Sequence, residues 1–362
     1  MKTLSISIVG PFPEPIHGMS KSNEILLNYL SFCDSVTVSF FDITLERKLK
    51  SKDFQGKFGL YNFILSLFNL LNLCVFILKK RSDIFYITPP QSALGYIRIC
   101  PAIVLAKIFG SKVVIHIHGS RFNYYLERSR PITRALIKKS FNMVDAFILL
   151  GRSIQLSHQK LLEHNLVFIC ENGVEDPNID VSSQKEETIN VLFLSNIMKD
   201  KGFFDFLDAI EKIKPNERYH FDIAGALEPS SERQIKKRLD ELGANVLYHG
   251  LVRGKDKDGL FNKAHIFVLP SYDEGQPLSI LEAYSYGCTV VTTNVGGISD
   301  IFSDGINGKY VNVNDPASIA DAIMGFSNSE LEFFSKNNIS TFQSKYTKEK
   351  FSNRVLEILL KV

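Results

Sequence analysis

The sequence repeats one alternation along most of its length: a short β-branched or aromatic run is followed by a longer segment with apolar residues at helical spacing. Strands that are apolar throughout are typical of parallel sheets with helices on both faces. Two such series predict an α/β protein with two doubly wound domains. The predicted strands are LSISIV (4–9), VTVSFF (36–41), DIFYIT (83–88), KVVIHIHG (112–119), DAFILL (145–150) and LVFIC (166–170), then INVLFLS (189–195), YHFDIAG (219–225), NVLYHG (245–250), HIFVLP (265–270) and TVVTT (289–293).

The length and one polar stretch divide the chain. Its 362 residues exceed what a single compact core usually holds. The segment VEDPNIDVSSQKEET (174–188) contains Pro and Ser and has no apolar periodicity, as is typical of a linker. We predict domains over residues 1–175 and 176–345, with a terminal helix over 346–362 that crosses back to the first domain.

The charge is distributed unevenly. The net charge is only +3, but residues 1–175 carry +9 and the remainder −6. A basic half predicts an anionic partner, such as a membrane surface, a phosphorylated lipid or nucleic acid. A basic, solvated face without a partner is the alternative.

One segment is unusually apolar for a water-soluble chain. Residues 58–78, FGLYNFILSLFNLLNLCVFIL, contain no charged side chain and are followed by Lys-Lys-Arg. Their length suffices to cross a bilayer, but three asparagines interrupt them and the next run is typical of a buried strand. We predict a buried or membrane-facing helix, with a membrane span as the alternative. A helix lying in the interface would suit a peripheral membrane protein.

The cysteines and the first residues indicate a cytoplasmic protein. The five cysteines are scattered and form no Cys-x-x-Cys, so we predict neither a disulfide framework nor a zinc site. The segment MKTLSISIVG (1–10) lacks the apolar core and cleavage site of a signal peptide, and is expected to form the first strand.

The stretch SYDEGQPLSILEAYSYG (271–287) combines a loop with a helix start directly after a predicted strand. Ligands of parallel sheets bind at the carboxyl ends of the strands, where we place Glu274. Pro277 suits a first helical turn, and the backbone N–H groups of residues 276–279 suit a phosphate. Glu282 can accept two hydrogen bonds from a vicinal diol such as ribose. An ordinary solvated helix residue and an ordinary loop carboxylate are the alternatives for the two glutamates.

The same stretch resembles the signature of glycosyltransferase family 4, in which a Glu-x7-Glu motif is embedded in a longer pattern of Pro, Ser, Gly, Leu and Val. The segments DGINGKYV (304–311) and ENGVE (171–175) resemble further elements of this family. The residues in register with the signature are Pro270, Ser271, Glu274, Gly275, Pro277, Leu278, Leu281, Glu282, Ala283, Gly287, Val290, Val291, Thr293, Gly296 and Gly297.

The resemblance implies the GT-B fold, in which two Rossmann-like domains face a central cleft, the first for the acceptor and the second for the nucleotide-sugar donor. It implies a retaining hexosyltransferase that needs no metal and uses a UDP-sugar or GDP-sugar. We expect a glycan or lipid-linked glycan acceptor, a role in bacterial surface polysaccharide assembly (capsule or lipopolysaccharide), the inner membrane surface as a partner, and no nucleic acid.

The resemblance also implies roles for residues of the second domain. Glu274 would contact the donor sugar, Glu282 the ribose, and Lys201 the leaving diphosphate. The family's Gly and Arg upstream of this lysine are Ser195 and Asn196 here, so we expect an altered phosphate contact. The remaining donor-binding residues implied are Gly275, Gln276, Leu278 and Ser279.

In the first domain, PIHGMSKS (15–22) resembles the family's Gly-Gly loop near the donor phosphates. Gly18 matches this loop, while the second glycine is Met19. His17 is expected either to bind ligand or to cap the loop. His118 resembles a catalytic-site histidine that contacts the donor sugar, and His116 on the same face is the alternative.

Three other functions compete with this prediction. An NAD-dependent oxidoreductase should show Gly-x-Gly-x-x-Gly after a strand, and the sequence contains no such motif. A sugar-nucleotide epimerase of the same fold would bind the same donor without an acceptor. A non-catalytic, membrane-associated binding protein is the third alternative.

Overall fold

The chain folds into two compact units in a computed structural model. The first contains residues 1–173 and 348–362, and the second contains residues 174–347. Most of the predicted linker, 178–187, lies outside the described residues, and the roles assigned to the two domains stay predictions. The described residues are 3–44, 60–177, 188–213, 216–229 and 231–362.

The first unit is built on a parallel six-stranded sheet with the spatial order β2-β1-β3-β4-β5-β6. Its strands are β1 (Leu4–Gly10), β2 (Val36–Asp42), β3 (Ile84–Ile87), β4 (Lys112–Ile117), β5 (Ala146–Leu149) and β6 (Val167–Ile169). Its helices up to this point are α1 (Gly18–Ser31), α2 (Leu60–Lys80), α3 (Ala93–Ile97), α4 (Cys100–Ile108), α5 (Phe122–Glu127), α6 (Pro131–Phe141) and α7 (Arg152–His158).

Alternate strand side chains of this sheet enter two apolar layers. Phe85 of β3 packs in the layer that contains Leu73 and Ile77 of α2. Tyr86, the next residue, packs in the opposite layer with Leu26 of α1. Since successive strand residues point to opposite faces, an unbroken apolar run is what a doubly covered strand requires.

The second unit repeats this plan with the order β12-β11-β10-β7-β8-β9, again parallel. Its strands are β7 (Ile189–Leu194), β8 (Tyr219–Ala224), β9 (Val246–Tyr248), β10 (Ile266–Leu269), β11 (Thr289–Thr293) and β12 (Gly308–Val311). Its helices are α8 (Phe203–Ile213), α9 (Glu232–Glu241), α10 (Gly254–Lys263), α11 (Leu278–Ser285), α12 (Pro316–Met324) and α13 (Asn328–Thr341), with single turns at Lys199–Lys201, Gly296–Asp300 and Phe342–Tyr346.

The sequence did not indicate strand β12. It is an edge strand of four residues that begins with Gly308. A Cβ at Gly308 would lie 1.8 Å from the backbone oxygen of Val290 on β11. The glycine therefore permits the strand to approach its neighbour, although glycine is itself a weak strand former.

The last helix, α14 (Lys348–Lys361), belongs to the first unit. Phe351 and Val355 are fully buried in the layer that also holds Leu26 of α1. The guanidinium of Arg354 donates a hydrogen bond of 3.0 Å to the backbone oxygen of Glu171. These contacts join the end of the chain to the first unit.

Residues 60–78 of the apolar segment lie in helix α2, which packs on the sheet through Leu73 and Ile77, and residues 58–59 lie outside the described residues. Among the described residues, no helix combines the length and the apolar character needed to cross a membrane. The predicted fold class, two doubly wound α/β domains, is confirmed.

Candidate functional site

The Glu-x7-Glu stretch connects strand β10 to helix α11 in the second unit. Its loop lies at the carboxyl end of β10, which pairs with β7 on one side and β11 on the other. Helix α11 begins at Leu278, and Pro277 is its N-cap residue. The loop is therefore at the edge of the sheet where ligands of parallel α/β folds bind.

Glu274 and Lys201 come from separate segments and lie in contact. Glu274 is 7% exposed, and its Oε1 accepts hydrogen bonds of 2.7 Å from the Lys201 ammonium and 2.7 Å from the Ser271 hydroxyl. A carboxylate removed from water needs such partners, because burial of an unpaired charge costs several kcal/mol. The structure thus brings together two of the residues predicted to act in catalysis.

Two glycines permit the close approach of these segments. Gly202 follows Lys201 with a φ of +68°, and a Cβ there would lie 2.0 Å from the backbone oxygen of Pro270. Gly296 has a φ of +52°, and a Cβ there would lie 2.0 Å from the backbone oxygen of Glu274. Both positions therefore demand glycine for space and for conformation.

Glu282 is also paired with a lysine. Its Oε1 accepts a hydrogen bond of 2.7 Å from the ammonium of Lys257 on α10, and both side chains are partly exposed. Sequence analysis did not identify Lys257, because its spacing from Glu282 in the chain carries no recognisable pattern. A ligand hydroxyl at Glu282 would share the carboxylate with this lysine.

The other predicted donor-binding residues surround the same strand ends. Gln276 is buried, while Gly275, Leu278 and Ser279 are partly exposed at the start of α11. Asn196 is exposed in the turn after β7, the strand next to β10. Their contacts with a donor stay predictions.

In the first unit, His118 follows β4 and its ring is tilted against that of His116, with 4.1 Å between the ring centroids. His116 is fully buried, and its Nδ1 lies 2.5 Å from the hydroxyl of Tyr86 on β3. Burial, and secondarily the charge of His17, lowers the pKa of His118 to about 3. Both rings are therefore neutral near pH 7, and His118 can offer a hydrogen bond but no positive charge.

Gly18 is the first residue of α1, and His17 is its N-cap. The His17 Nδ1 accepts a hydrogen bond of 3.3 Å from the backbone N–H of Ser20, and the Ser20 hydroxyl accepts one of 3.0 Å from the His17 N–H. Of the two predicted roles for His17, the structure displays the capping role.

Gln91, which lies beyond the end of β3, was not among the residues predicted to bind a ligand. Both its amide nitrogen and its amide oxygen are buried without a hydrogen-bond partner, as are the Nε2 atoms of His116 and His118. Its side chain packs on Gly119, where a Cβ would lie 2.3 Å from the amide oxygen. Buried polar atoms without partners are rare and mark sites for a ligand or water. The sequence offered one signal for Gln91: it is a polar residue in Pro-Pro-Gln-Ser, directly after an apolar strand.

No group of three or more His, Cys, Asp and Glu side chains within the described ranges is arranged to hold a metal ion. The metal independence expected from the sequence stays a prediction.

The contact between Lys201 and Glu274 generates a stability prediction. In a double-mutant cycle of Lys201→Met and Glu274→Gln, we expect a coupling energy of about 1–3 kcal/mol, because the pair is partly desolvated. The control pair, Lys236 and Glu232, has the same 2.7 Å separation but is exposed, and should couple much more weakly because solvent screens it. Both coupling energies are measured from the free energy of unfolding in urea, followed by hydrogen exchange of peptides from the second unit. Equal coupling in the two pairs would contradict the prediction.

The pKa of His118 generates a second prediction. Its folded-state pKa of about 3 lies below the ordinary value of 6.5, so the unfolded chain binds more protons as the pH falls. The first unit should therefore lose about 1.6 kcal/mol from this group between pH 6.5 and pH 5. Hydrogen exchange of β4 amides reports the free energy of unfolding of the first unit. We expect this free energy to fall less between pH 6.5 and pH 5 in His118→Asn than in the unaltered chain. Exposed His164 is the control; if His164→Asn has the same effect, the assignment is wrong.

Comparison with known proteins connects this site to a family. Residues 188–328 match the family model described as "Glycosyl transferases group 1". The D-inositol 3-phosphate glycosyltransferase of Paenarthrobacter aurescens is 26% identical over 241 residues, 60% of this chain and 59% of that protein. The N,N'-diacetylbacillosaminyl-diphospho-undecaprenol alpha-1,3-N-acetylgalactosaminyltransferase of Campylobacter jejuni is 25% identical over 209 residues, 54% of each. The chain thus spans a little over half the length of these curated relatives.

The likeness to solved structures extends over the whole chain. The crystal structure of Anabaena Alr3699/HepE in complex with UDP superposes with a TM-score of 0.75 at 14% identity, covering 99% of this chain and 100% of that one. At this identity the likeness shows the fold, which is that of the GT-B glycosyltransferases. The match to the glycosyl transferases group 1 model covers residues 188–328, which lie within the second unit.

Proposed function

We propose that the protein is a retaining glycosyltransferase that moves a hexose-type sugar from a UDP-sugar or GDP-sugar to a glycan or lipid-linked glycan. The observation that carries the proposal is the contact of Lys201 with Glu274 beside the start of α11, among the residues that match the glycosyl transferases group 1 model. A cation, a carboxylate and a helix N-terminus meet there, and these groups suit a diphosphate joined to a sugar.

Each part of the donor has a matching group. The backbone at Gly275, Gln276, Leu278 and Ser279 would receive the phosphates at the positive end of the helix dipole. Lys201 would neutralise charge that develops on the leaving diphosphate. Glu274 would accept hydrogen bonds from sugar hydroxyls, and Glu282 from the ribose. Asn196 would add an uncharged contact where the family signature has arginine.

Donor binding would exchange ion-pair partners. Lys201 now contacts Glu274, and Lys257 contacts Glu282, each at 2.7 Å. A diphosphate would attract Lys201, while the donor's hydroxyl groups would supply hydrogen bonds to Glu274. Ser271 would keep its hydrogen bond to this carboxylate throughout. The exchange leaves the buried Glu274 carboxylate and the Lys201 ammonium each with a partner, as a charge removed from water requires.

The reaction would proceed on one face of the sugar. The bond between the anomeric carbon and the donor phosphate oxygen breaks, and the acceptor oxygen bonds to the same face of that carbon. The acceptor proton passes to the departing phosphate oxygen, so no side chain has to act as the base. Glu274 would hold the sugar by hydrogen bonds, and metal would not be required.

The acceptor and location proposals rest on the first unit. Its net positive charge suits an acceptor that carries a diphosphate and a negatively charged membrane surface. The name of the Campylobacter jejuni relative states that it acts on a diphospho-undecaprenol-linked sugar. We propose a cytoplasmic enzyme at the inner membrane face that contributes to a bacterial surface polysaccharide.

Calorimetric titration with UDP, GDP and NAD tests the donor site. We expect one nucleoside diphosphate to bind, and Glu282→Ala to weaken it by about 10-fold to 100-fold through loss of hydrogen bonds to a charged group. Glu232→Ala is the matched control, because this glutamate also pairs with a lysine at 2.7 Å in the second unit but lies on exposed α9. Binding of NAD alone, or equal effects of the two variants, would overturn the assignment.

A transfer assay tests the chemistry. With the nucleotide sugar selected by titration and a polyprenyl-diphosphate-linked sugar as acceptor, proton NMR should show retained anomeric configuration, and excess EDTA should leave the rate unchanged. Lys201→Met should lower kcat by about 100-fold or more, as loss of one oxyanion-stabilising group does. Lys236→Met is the control.

Four results of this assay would contradict the proposal. An inverted product would exclude retention, and a rate abolished by EDTA would exclude metal independence. A glycosyl group trapped covalently on a carboxylate would exclude the same-face reaction. Conversion of the nucleotide sugar to its epimer without transfer would identify an epimerase instead.

A further inference from the structure

Helix α2 presents an apolar side to solvent. Between residues 64 and 78, every exposed position carries a large apolar side chain, and these six side chains are between 41% and 56% exposed. Their spacing of three or four residues places them along one side of the helix. They are Ile64, Leu67, Phe68, Leu71, Val75 and Leu78.

Two polar residues in the middle of α2, Ser66 and Asn69, face the protein. Ser66 is buried, and the side chain of Asn69 donates a hydrogen bond of 3.2 Å to the backbone oxygen of Ile43. A surface helix of a water-soluble protein shows the reverse arrangement, with polar residues outward. The exposed side of α2 is therefore not explained by solvation in water.

Helix α4 extends this apolar surface. It packs beside α2, and Val104 in its middle, Ile108 at its end and Phe109 directly after it are 38%, 69% and 39% exposed. Contiguous exposed apolar surface of this kind marks a contact with a protein or a membrane. We refer to the six exposed α2 side chains and these three together as the α2–α4 face.

Positive charge lies at one end of the α2–α4 face. Lys79, Lys80 and Arg81 are exposed where α2 ends, and the guanidinium of Arg81 lies 5.2 Å from the ring centroid of Phe109. Neither α2 nor α4 contains an acidic residue. The combination of outward apolar side chains with adjacent cations complements an anionic lipid surface.

We propose that the α2–α4 face docks on an anionic lipid bilayer, with its apolar side chains at the boundary of headgroups and acyl chains and Lys79–Arg81 against the headgroups. This inference builds on the proposed lipid-linked acceptor, because it supplies the surface through which the first unit meets the membrane. A symmetric contact between two copies would bury the same patch on both and would offer Lys79–Arg81 no acidic partner from α2 or α4, which contain none. The charge pattern therefore favours lipid over a second copy.

Vesicle flotation of the full chain tests the proposal, with vesicles of phosphatidylcholine alone or mixed with phosphatidylglycerol. We expect binding to the anionic vesicles that decreases with salt. Leu67→Ser/Leu71→Ser should reduce the bound fraction at least 10-fold, since loss of apolar insertion lowers membrane affinity steeply. Lys79→Gln/Lys80→Gln should reduce the preference for anionic vesicles.

The matched control is Leu156→Ser/Leu360→Ser, which removes two leucines exposed on other helices of the first unit. Equal binding by the two double variants, or no binding by the unaltered chain, would overturn the proposal. Sedimentation velocity without vesicles adds one further decisive result: a dimer that Leu67→Ser/Leu71→Ser dissociates would assign the face to self-association instead.

Nucleotide titration of the same samples separates this inference from the proposed function. If UDP or GDP binds while vesicles do not, the docking surface is wrong and the donor site stands. If vesicles bind while no nucleotide does, the docking surface stands and the proposed function is wrong. Retained nucleotide binding by Leu67→Ser/Leu71→Ser also shows that its second unit is folded.

Discussion

Burial of both faces of each parallel sheet is the constraint on which the rest of the structure depends. Apolar side chains fill the layers above and below the strands, as Phe85 and Tyr86 do in the first unit. The groups that can bind ligands therefore collect beyond the strand ends, where loops lead into helices. Gln91 and His118 lie there in the first unit, and Glu274 lies there in the second.

The polar groups of the two candidate sites differ in charge. In the second unit, lysines hold both carboxylates, so a ligand that carries negative charge competes with Glu274 and Glu282 for Lys201 and Lys257. In the first unit, burial keeps His118 neutral, and the nearby amide of Gln91 is also uncharged. A diphosphate suits the charged arrangement, whereas sugar hydroxyls suit the neutral one.

Much of the fold followed from local patterns, and the exceptions have physical causes. The predicted apolar runs became strands, because a doubly covered strand needs apolar residues on both of its faces. Strand β12 escaped detection because GKYV is short and begins with glycine, which is needed only for its approach to Val290. The apolar segment at 58–78 indicated a helix, but its composition could not specify that Ser66 points inward while Leu71 points outward.

The sequence by itself determined the two α/β series, the loop that carries Glu274 and the helix start after it, because these depend on residues close together in the chain. Only the tertiary structure decided the partners. Lys201 meets Glu274 across 73 residues, Lys257 meets Glu282, and Gln91 packs on Gly119. Such contacts depend on the order of the strands in the sheets, and local residue patterns do not specify that order.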